Sequence, residues 1–233
     1  MPTINASKYG FMSNSDTGTG AFNSVRNASS ATGAAFNQPT STQTTTSFNL
    51  GFSSKGDSCT LKRSWWAFDV STYASGYTIT DLQIQFDPTT NTSTNYPVAI
   101  VKSTAQGNAD TNLTQADWNN LDFSTLYGGS ATTYWPDTNN VSTIDLNSTA
   151  IAAFSTSYLK ICILWFYDYN GFGALTTTNG QAYQNYNYVP RITFSAVASG
   201  WSGGDINTVA VNVDNEINTI GYSNIEAVNT VSS

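Results

Sequence analysis

Histidine is absent from this chain of 233 residues. That removes the commonest general base and the commonest transition-metal ligand, and with them Ser-His-Asp and Cys-His nucleophile schemes. Glutamate occurs only at Glu216 and Glu226, close to the end of the chain. Cysteine is limited to Cys59 and Cys162, too few for a zinc cluster. Charged residues make up 10% of the chain, well below the usual ~25%. The formal net charge is −7 and the eight basic residues are scattered, which argues against a nucleic-acid partner. No apolar run reaches the ~18 residues that a membrane-spanning helix needs. The start, Met1-Pro2-Thr3-Ile4-Asn5, has neither a basic region nor an apolar one, so no export signal is expected. Gly18, Gly20 and Gly33 lie in a Ser/Thr loop without lysine, which is not a phosphate-binding arrangement.

Aromatic side chains supply 13% of the chain, and Ser, Thr, Asn and Gln dominate the polar share. Disordered segments carry few aromatics and many charges, so a packed protein is expected. The chain is organised around Lys62 to Val70. If this stretch is a strand, Trp66, Phe68 and Val70 share one face, and Arg63, Trp65, Ala67 and Asp69 share the other. Aromatic area on both sides implies a central strand, covered on one face by a core and on the other by loops or a partner.

Other segments alternate in the same way. A first strand is expected within residues 1–12, and a long loop or loosely strand-like insertion over residues 13–45. Phe48, Leu50 and Phe52 alternate with polar residues, as do Leu82, Ile84 and Phe86 before Pro88. Val98 to Val101 forms another strand, Tyr158 to Tyr169 a central one, and Val189 to Val197 the last, after a polar loop over residues 174–188. Two short helices interrupt the pattern. Thr114 and Asp117 resemble a capping box ahead of Trp118 and Leu121, and Ser148 is a candidate cap for Thr149 to Phe154. Short strands between turn signals read as an all-β antiparallel sandwich, or jelly roll, with two short helices and an extended C-terminal segment. Cys59 and Cys162 are expected to be buried free thiols, with a disulfide open if their strands are neighbours.

The order of features resembles jelly-roll β-sandwich domains of the DNRLRE type. The carrying residues are Ala6 to Met12, then Arg63-Ser64-Trp65-Trp66-Ala67-Phe68-Asp69-Val70-Ser71, which looks like the family's Arg-Ser-x-x-x-Phe-Asp-x-Ser strand. Gly76-Tyr77-Thr78-Ile79 leading into Leu82-Gln83-Ile84, the Leu146 to Phe154 helix, the Tyr158 to Asp168 strand and Pro190-Arg191-Ile192-Thr193 come in the family's order. The long Ser/Thr loop and the doubled Trp are departures. The resemblance implies a fold and a surface or binding role, not a reaction.

Residues 1–198 are read as the sandwich and residues 199–233 as a docking tail after the Trp201-Ser202-Gly203-Gly204 break. Ile206-Asn207-Thr208-Val209 and Ile217-Asn218-Thr219-Ile220 lie 11 residues apart, and Ile225 to Val228 departs from that spacing. This strip resembles the Ile-Asn-x-Val tails of tailed-phage structural proteins. It has too little apolar surface to bury itself, so Ile206, Val209, Ile217, Ile220, Ile225 and Val228 are candidate docking positions.

Among possible sites, Asp69, Asp81, Asp122, Asp145 and Asp168 are the acids that a glycosidase pair would draw on. Asp69 is read as a strand-end carboxylate and Asp81 as a solvated one. Asp168-Tyr169-Asn170-Gly171 is read as a turn, with a structural Ca2+ as the rival reading. Tyr134, Trp135 and Tyr186 are candidate glycan-binding rings, because loop aromatics stack on sugars when exposed. The expectation is a non-enzymatic, cofactor-free virion structural protein, made in the host cytoplasm and placed on a capsid or tail surface as a decoration, fibre or ring component. Its partners would be other virion proteins and its own copies. A carbohydrate-binding module is the alternative, and an Asp-based glycosidase the third reading.

Overall fold

The structure, a computed structural model, describes residues 1–33, 35–38, 49–55, 58–91, 97–105, 111–135, 141–155, 157–171, 180–184 and 188–199. The chain divides into two units, Met1–Ser199 and Gly200–Ser233, and the described residues all belong to the first.

One four-stranded sheet has the order β1 (Thr3–Asn5), β13 (Arg191–Ala198), β6 (Tyr77–Phe86), β10 (Ser142–Asp145). The second sheet has nine strands. Its spine is β5 (Ser58–Asp69), β11 (Tyr158–Trp165), β8 (Pro97–Ser103), β9 (Leu121–Tyr134). On its other edge, β5 pairs along most of its length with β2 (Lys8–Thr17), which carries β3 (Phe36–Gln38). Opposite β2, the edge of β5 is shared. Ser58–Lys62 pair with β4 (Asn49–Lys55), which leads on to β12 (Gly180–Gln184) and β7 (Pro88–Asn91), and Ser64–Asp69 pair with β11. Numbered along the chain, the eight framework strands are β1, β5, β6, β8, β9, β10, β11 and β13. One sheet takes the first, eighth, third and sixth, and the other the second, seventh, fourth and fifth. That order is a jelly roll.

The interior is set by strand alternation. In the smaller sheet Ile4, Ile192, Ile84 and Ile144 stand side by side across all four strands. Phe86 and Phe194 lie on the same inner face, and Phe86 meets Trp66 of β5 at a ring separation of 6.2 Å. The outward rows of the same sheet are polar: Thr3, Thr193, Gln83, Asp145 and Asn5, Arg191, Gln85, Thr143. Ile79 and Leu82 are both buried although three residues apart, because Asp81 and Leu82 together oppose Phe194 in a β-bulge. Asp81 holds the left-handed conformation there, φ 53°.

The central strands β5, β11 and β8 of the second sheet are buried on both faces. Trp66 and Phe68 face the first sheet, while Leu61, Arg63, Trp65 and Ala67 face the other way and are equally buried. A third layer covers them: α1 (Ala21–Asn27), a 3-10 turn at Gln115–Asn119, and α3 (Phe166–Asn170). Phe22 and Val25 of α1 are buried, and Trp118 meets Trp65 at 6.1 Å. The continuous apolar character of β11 and β8 has the same cause: strands covered on both faces do not alternate.

Several expectations need correction. Residues 13–17 continue β2, within the strand-like alternative for 13–45, but residues 21–27 are helical where a loop or strand-like insertion was expected. Asn14 ties this segment down. Its amide donates to the Val25 and Ser30 carbonyls, and its Oδ1 accepts from the Ser15 and Thr32 N–H groups. The strand from Tyr158 stops at Trp165, and the aromatic run then turns into α3, ended by Gly171 at φ 71°. The loop over 174–188 contains β12. Asn147, not Ser148, caps α2 (Ser148–Ala152), accepting from the Thr149 and Ala150 N–H groups. Thr114 and Asp117 form the capping box as expected. The side chains of Phe48, Leu50 and Phe52 and the segment 40–45 lie outside the described residues.

The strand β9 was not expected, and glycines explain why. Gly128 and Gly129 break the alternation of side chains, and they are where β9 passes very close to its neighbours. A Cβ on Gly129, at φ 82°, would collide with the Val98 carbonyl oxygen, and one on Gly128 would lie 2.8 Å from that of Asp145. Gly128 forms an isolated bridge to Leu146, joining the edges of the two sheets. Asn147 strengthens this seam by donating its N–H to the Tyr127 carbonyl and its side-chain amide to that of Leu126.

Cys59 and Cys162 are both buried free thiols. Cys162 stands opposite Trp65, and Cys59 lies six residues earlier on β5. At about 3.3 Å per residue that is ~20 Å along the strand, far beyond the ~7 Å Cα limit for a disulfide.

Candidate functional site

The charged cluster in the third layer is built from four elements. Arg63 points from β5 into the layer with no exposed surface. Its Nε donates to Asp168 Oδ2 at 2.7 Å and its Nη2 to Oδ1 at 2.9 Å, a bidentate pair. Nη1 donates to the Trp118 carbonyl at 3.0 Å, and Nη2 also to the Arg26 carbonyl at 3.1 Å. The guanidinium lies over the Trp118 ring, 4.2 Å from its centre. Arg26 comes from α1, its Nε 3.7 Å from Asp168 Oδ1. Its Nε and Nη2 donate to the Asp168 and Tyr169 carbonyls at the end of α3. Trp118 Nε1 donates to the Val25 carbonyl at 2.8 Å.

Two helices too short to be stable alone therefore end on cationic or N–H donors, where the helix dipole favours them. Burial lowers the pKa of Arg26, Asp168 opposes that shift, and Arg63 adds to it. The cluster joins β5, α1, α3 and the 115–119 turn. Its donors and both carboxylate oxygens are engaged, so it is an architectural junction and not a reactive centre. The Ca2+ reading of Asp168–Gly171 is corrected by the same geometry. The Asp168 carboxylate faces two guanidiniums, which satisfy its oxygens and repel a further cation.

Each of the remaining acids is engaged or placed in its own local setting. Asp69 ends β5, its Oδ1 accepting from the Ser71 N–H and hydroxyl, bonds that hold its pKa below the ordinary carboxylate range. Asp122 accepts from Ser124 and Thr125 at the start of β9 and is lowered for the same reason. Asp81 sits in the β-bulge, and Asp145 accepts from Gln83 Nε2 at 2.6 Å on the outer face of the smaller sheet. Among the described residues, no three of His, Cys, Asp and Glu gather as a metal-binding group.

The three glycan candidates fare differently. Trp135 is 2% exposed and stacks on Phe86 at 4.5 Å, so its ring belongs to the sandwich core and offers no face to a sugar. Tyr134, the residue before it, is 43% exposed by strand alternation. It lines an open groove of about 530 Å3 between β9 and β10, with Gly129, Thr133, Val141, Thr143 and Asp145. Tyr186 lies outside the described residues, as do Ile206, Val209, Ile217, Ile220, Ile225 and Val228.

Sequence reasoning missed Asp168 as the partner of Arg63 and missed Asp145 as a groove residue. A signal existed for the first. Arg63 shares a face with the buried Trp65, so it requires an acid from elsewhere, and Asp168 comes directly after the most apolar strand. No such signal marks Asp145, whose position comes from the pairing of β10 with β6. No family model matches the chain, and no curated protein is similar to it.

Proposed function

We propose that this chain is a non-enzymatic jelly-roll module whose role is structural. More particularly, we read it as a component of a tailed-phage virion, with the sandwich on a capsid or tail surface and residues 200–233 as its attachment. The observation that carries this reading is the use made of the ionisable groups. Arg26, Arg63 and Asp168 lock the third layer, and Asp69 and Asp122 hold turns. The chemistry-bearing side chains serve shape and rigidity. The DNRLRE-type resemblance supports a surface role, and the Ile-Asn-x-Val strip of residues 206–228 supports the virion part of the reading.

The test is deletion of residues 200–233 in the phage that encodes the chain. The shortened protein should stay folded by its thermal melt and disappear from purified particles. Undiminished incorporation of the shortened chain would remove the attachment role.

A further inference from the structure

Beyond the Gly128–Leu146 bridge, β9 and β10 part, and the groove lies between them. We propose that this groove binds a neutral oligosaccharide. The Tyr134 ring is 43% exposed at one end and offers the flat apolar face on which a sugar's C–H face stacks. Thr143 and Asp145 extend from β10 along the opposite wall. Gln83 Nε2 holds Asp145 Oδ1 at 2.6 Å, which fixes the carboxylate, and among the described residues Oδ2 has no hydrogen-bond partner. A fixed carboxylate oxygen accepts sugar hydroxyls well, because the bond is charge-assisted. Gly129 lines the groove with backbone only; its missing Cβ is required by the close approach of β9 to Val98 of β8.

The lining also selects against other ligands. Its described residues include one carboxylate and no cation, and the chain carries a net charge of −7, so phosphates and sulfated chains are repelled. The walls are hydroxyl-rich and open to solvent, which does not suit a lipid or a compact apolar molecule. An open groove suits a chain that passes through it.

The inference is independent of particle attachment. Its test uses the full chain and calorimetric titration with neutral hexasaccharides of glucose, mannose and N-acetylglucosamine, and with a sulfated oligosaccharide. At least one neutral probe should bind. Tyr134→Ala should weaken that binding roughly tenfold, the scale of a lost stacking contact. Tyr134→Phe should retain it, because stacking does not need the hydroxyl, and Asp145→Asn should weaken it at unchanged thermal stability. Tyr77→Ala, which removes an exposed tyrosine outside the groove, should leave it unchanged. The proposal is overturned if no neutral probe binds at millimolar concentration, if only the sulfated probe binds, or if neither Tyr134→Ala nor Asp145→Asn weakens binding.

Discussion

Replacing Asp168 with asparagine keeps the shape of the side chain and removes one buried charge. Both carboxylate oxygens accept from Arg63, at 2.7 and 2.9 Å. An amide has one accepting oxygen, and its NH2 would face a guanidinium N–H, donor against donor. Arg63 has no exposed surface, so water cannot replace the lost partner. Breaking a buried pair from one side costs about 3–5 kcal/mol. Here Arg26 lies 3.7 Å from the same carboxylate, so the substitution leaves two cations without an anion. The upper part of that range, about 4–5 kcal/mol, is expected. Set against a total stability of about 5–15 kcal/mol, this is a large share. Equilibrium urea unfolding followed by tryptophan fluorescence reads it directly, because Trp65 and Trp118 flank the junction. With a slope of about 2 kcal/mol per molar urea, the midpoint should fall by ~2 M. A fall below ~0.5 M at unchanged slope would refute the junction. The Arg63→Met, Asp168→Leu double variant gives an internal check. It should cost at least ~2 kcal/mol less than the sum of the single changes, because the double change removes both members of the bidentate pair, while Arg26 loses the same anion in the single and the double Asp168 variant. Additive losses would show that the two side chains do not act as a pair.

Three further outcomes rest on local geometry. Gly129→Ala should destabilise by about 2–4 kcal/mol, since its Cβ would meet the Val98 carbonyl at a left-handed φ; an unchanged melting temperature contradicts the close approach of β9 and β8. Asp81→Gly should stabilise by about 1 kcal/mol, because Asp81 is a non-glycine residue at positive φ in the bulge; a loss of stability would show that its side chain matters more than its backbone. Cys59 and Cys162 should resist alkylation in the native protein at pH 8 and react after unfolding. Burial first, then Asp168 and Asp16, push Cys59 up to about 11, and burial raises Cys162. A thiol raised in the folded state favours folding below its unfolded pKa near 9, a contribution lost as pH rises through the folded value. Stability should therefore decline between about pH 9 and pH 11, and the decline should lessen in Cys59→Ser.

The legible part of the fold was the part set by alternation. Leu82, Ile84 and Phe86, and Trp66 and Phe68, point where their spacing says, because an inner sandwich face imposes a two-residue period. The two-sided burial of the 62–70 strand was legible for the same reason. The covering layer itself was not. Helix α1 has no side-chain cap, and α3 begins directly after a strand, so tertiary packing and not local signals makes them. Strand β9 was hidden by two glycines and three register shifts against β8. At the groove, Tyr134 was legible as a loop-end aromatic, but its neighbour Trp135 differs from it only by strand parity, and that was not fixed without the strand. Gln83 and Asp145 meet only through the register of β6 and β10, which no local pattern encodes.

The most direct test of the proposed virion role is the protein inventory, by quantitative mass spectrometry, of particles purified from the source of this chain. The expected result is this chain at a fixed copy number relative to the major capsid or tail proteins, retained through high-salt washing. Its absence from washed particles, with the protein recovered only in the soluble lysate, would contradict a virion role.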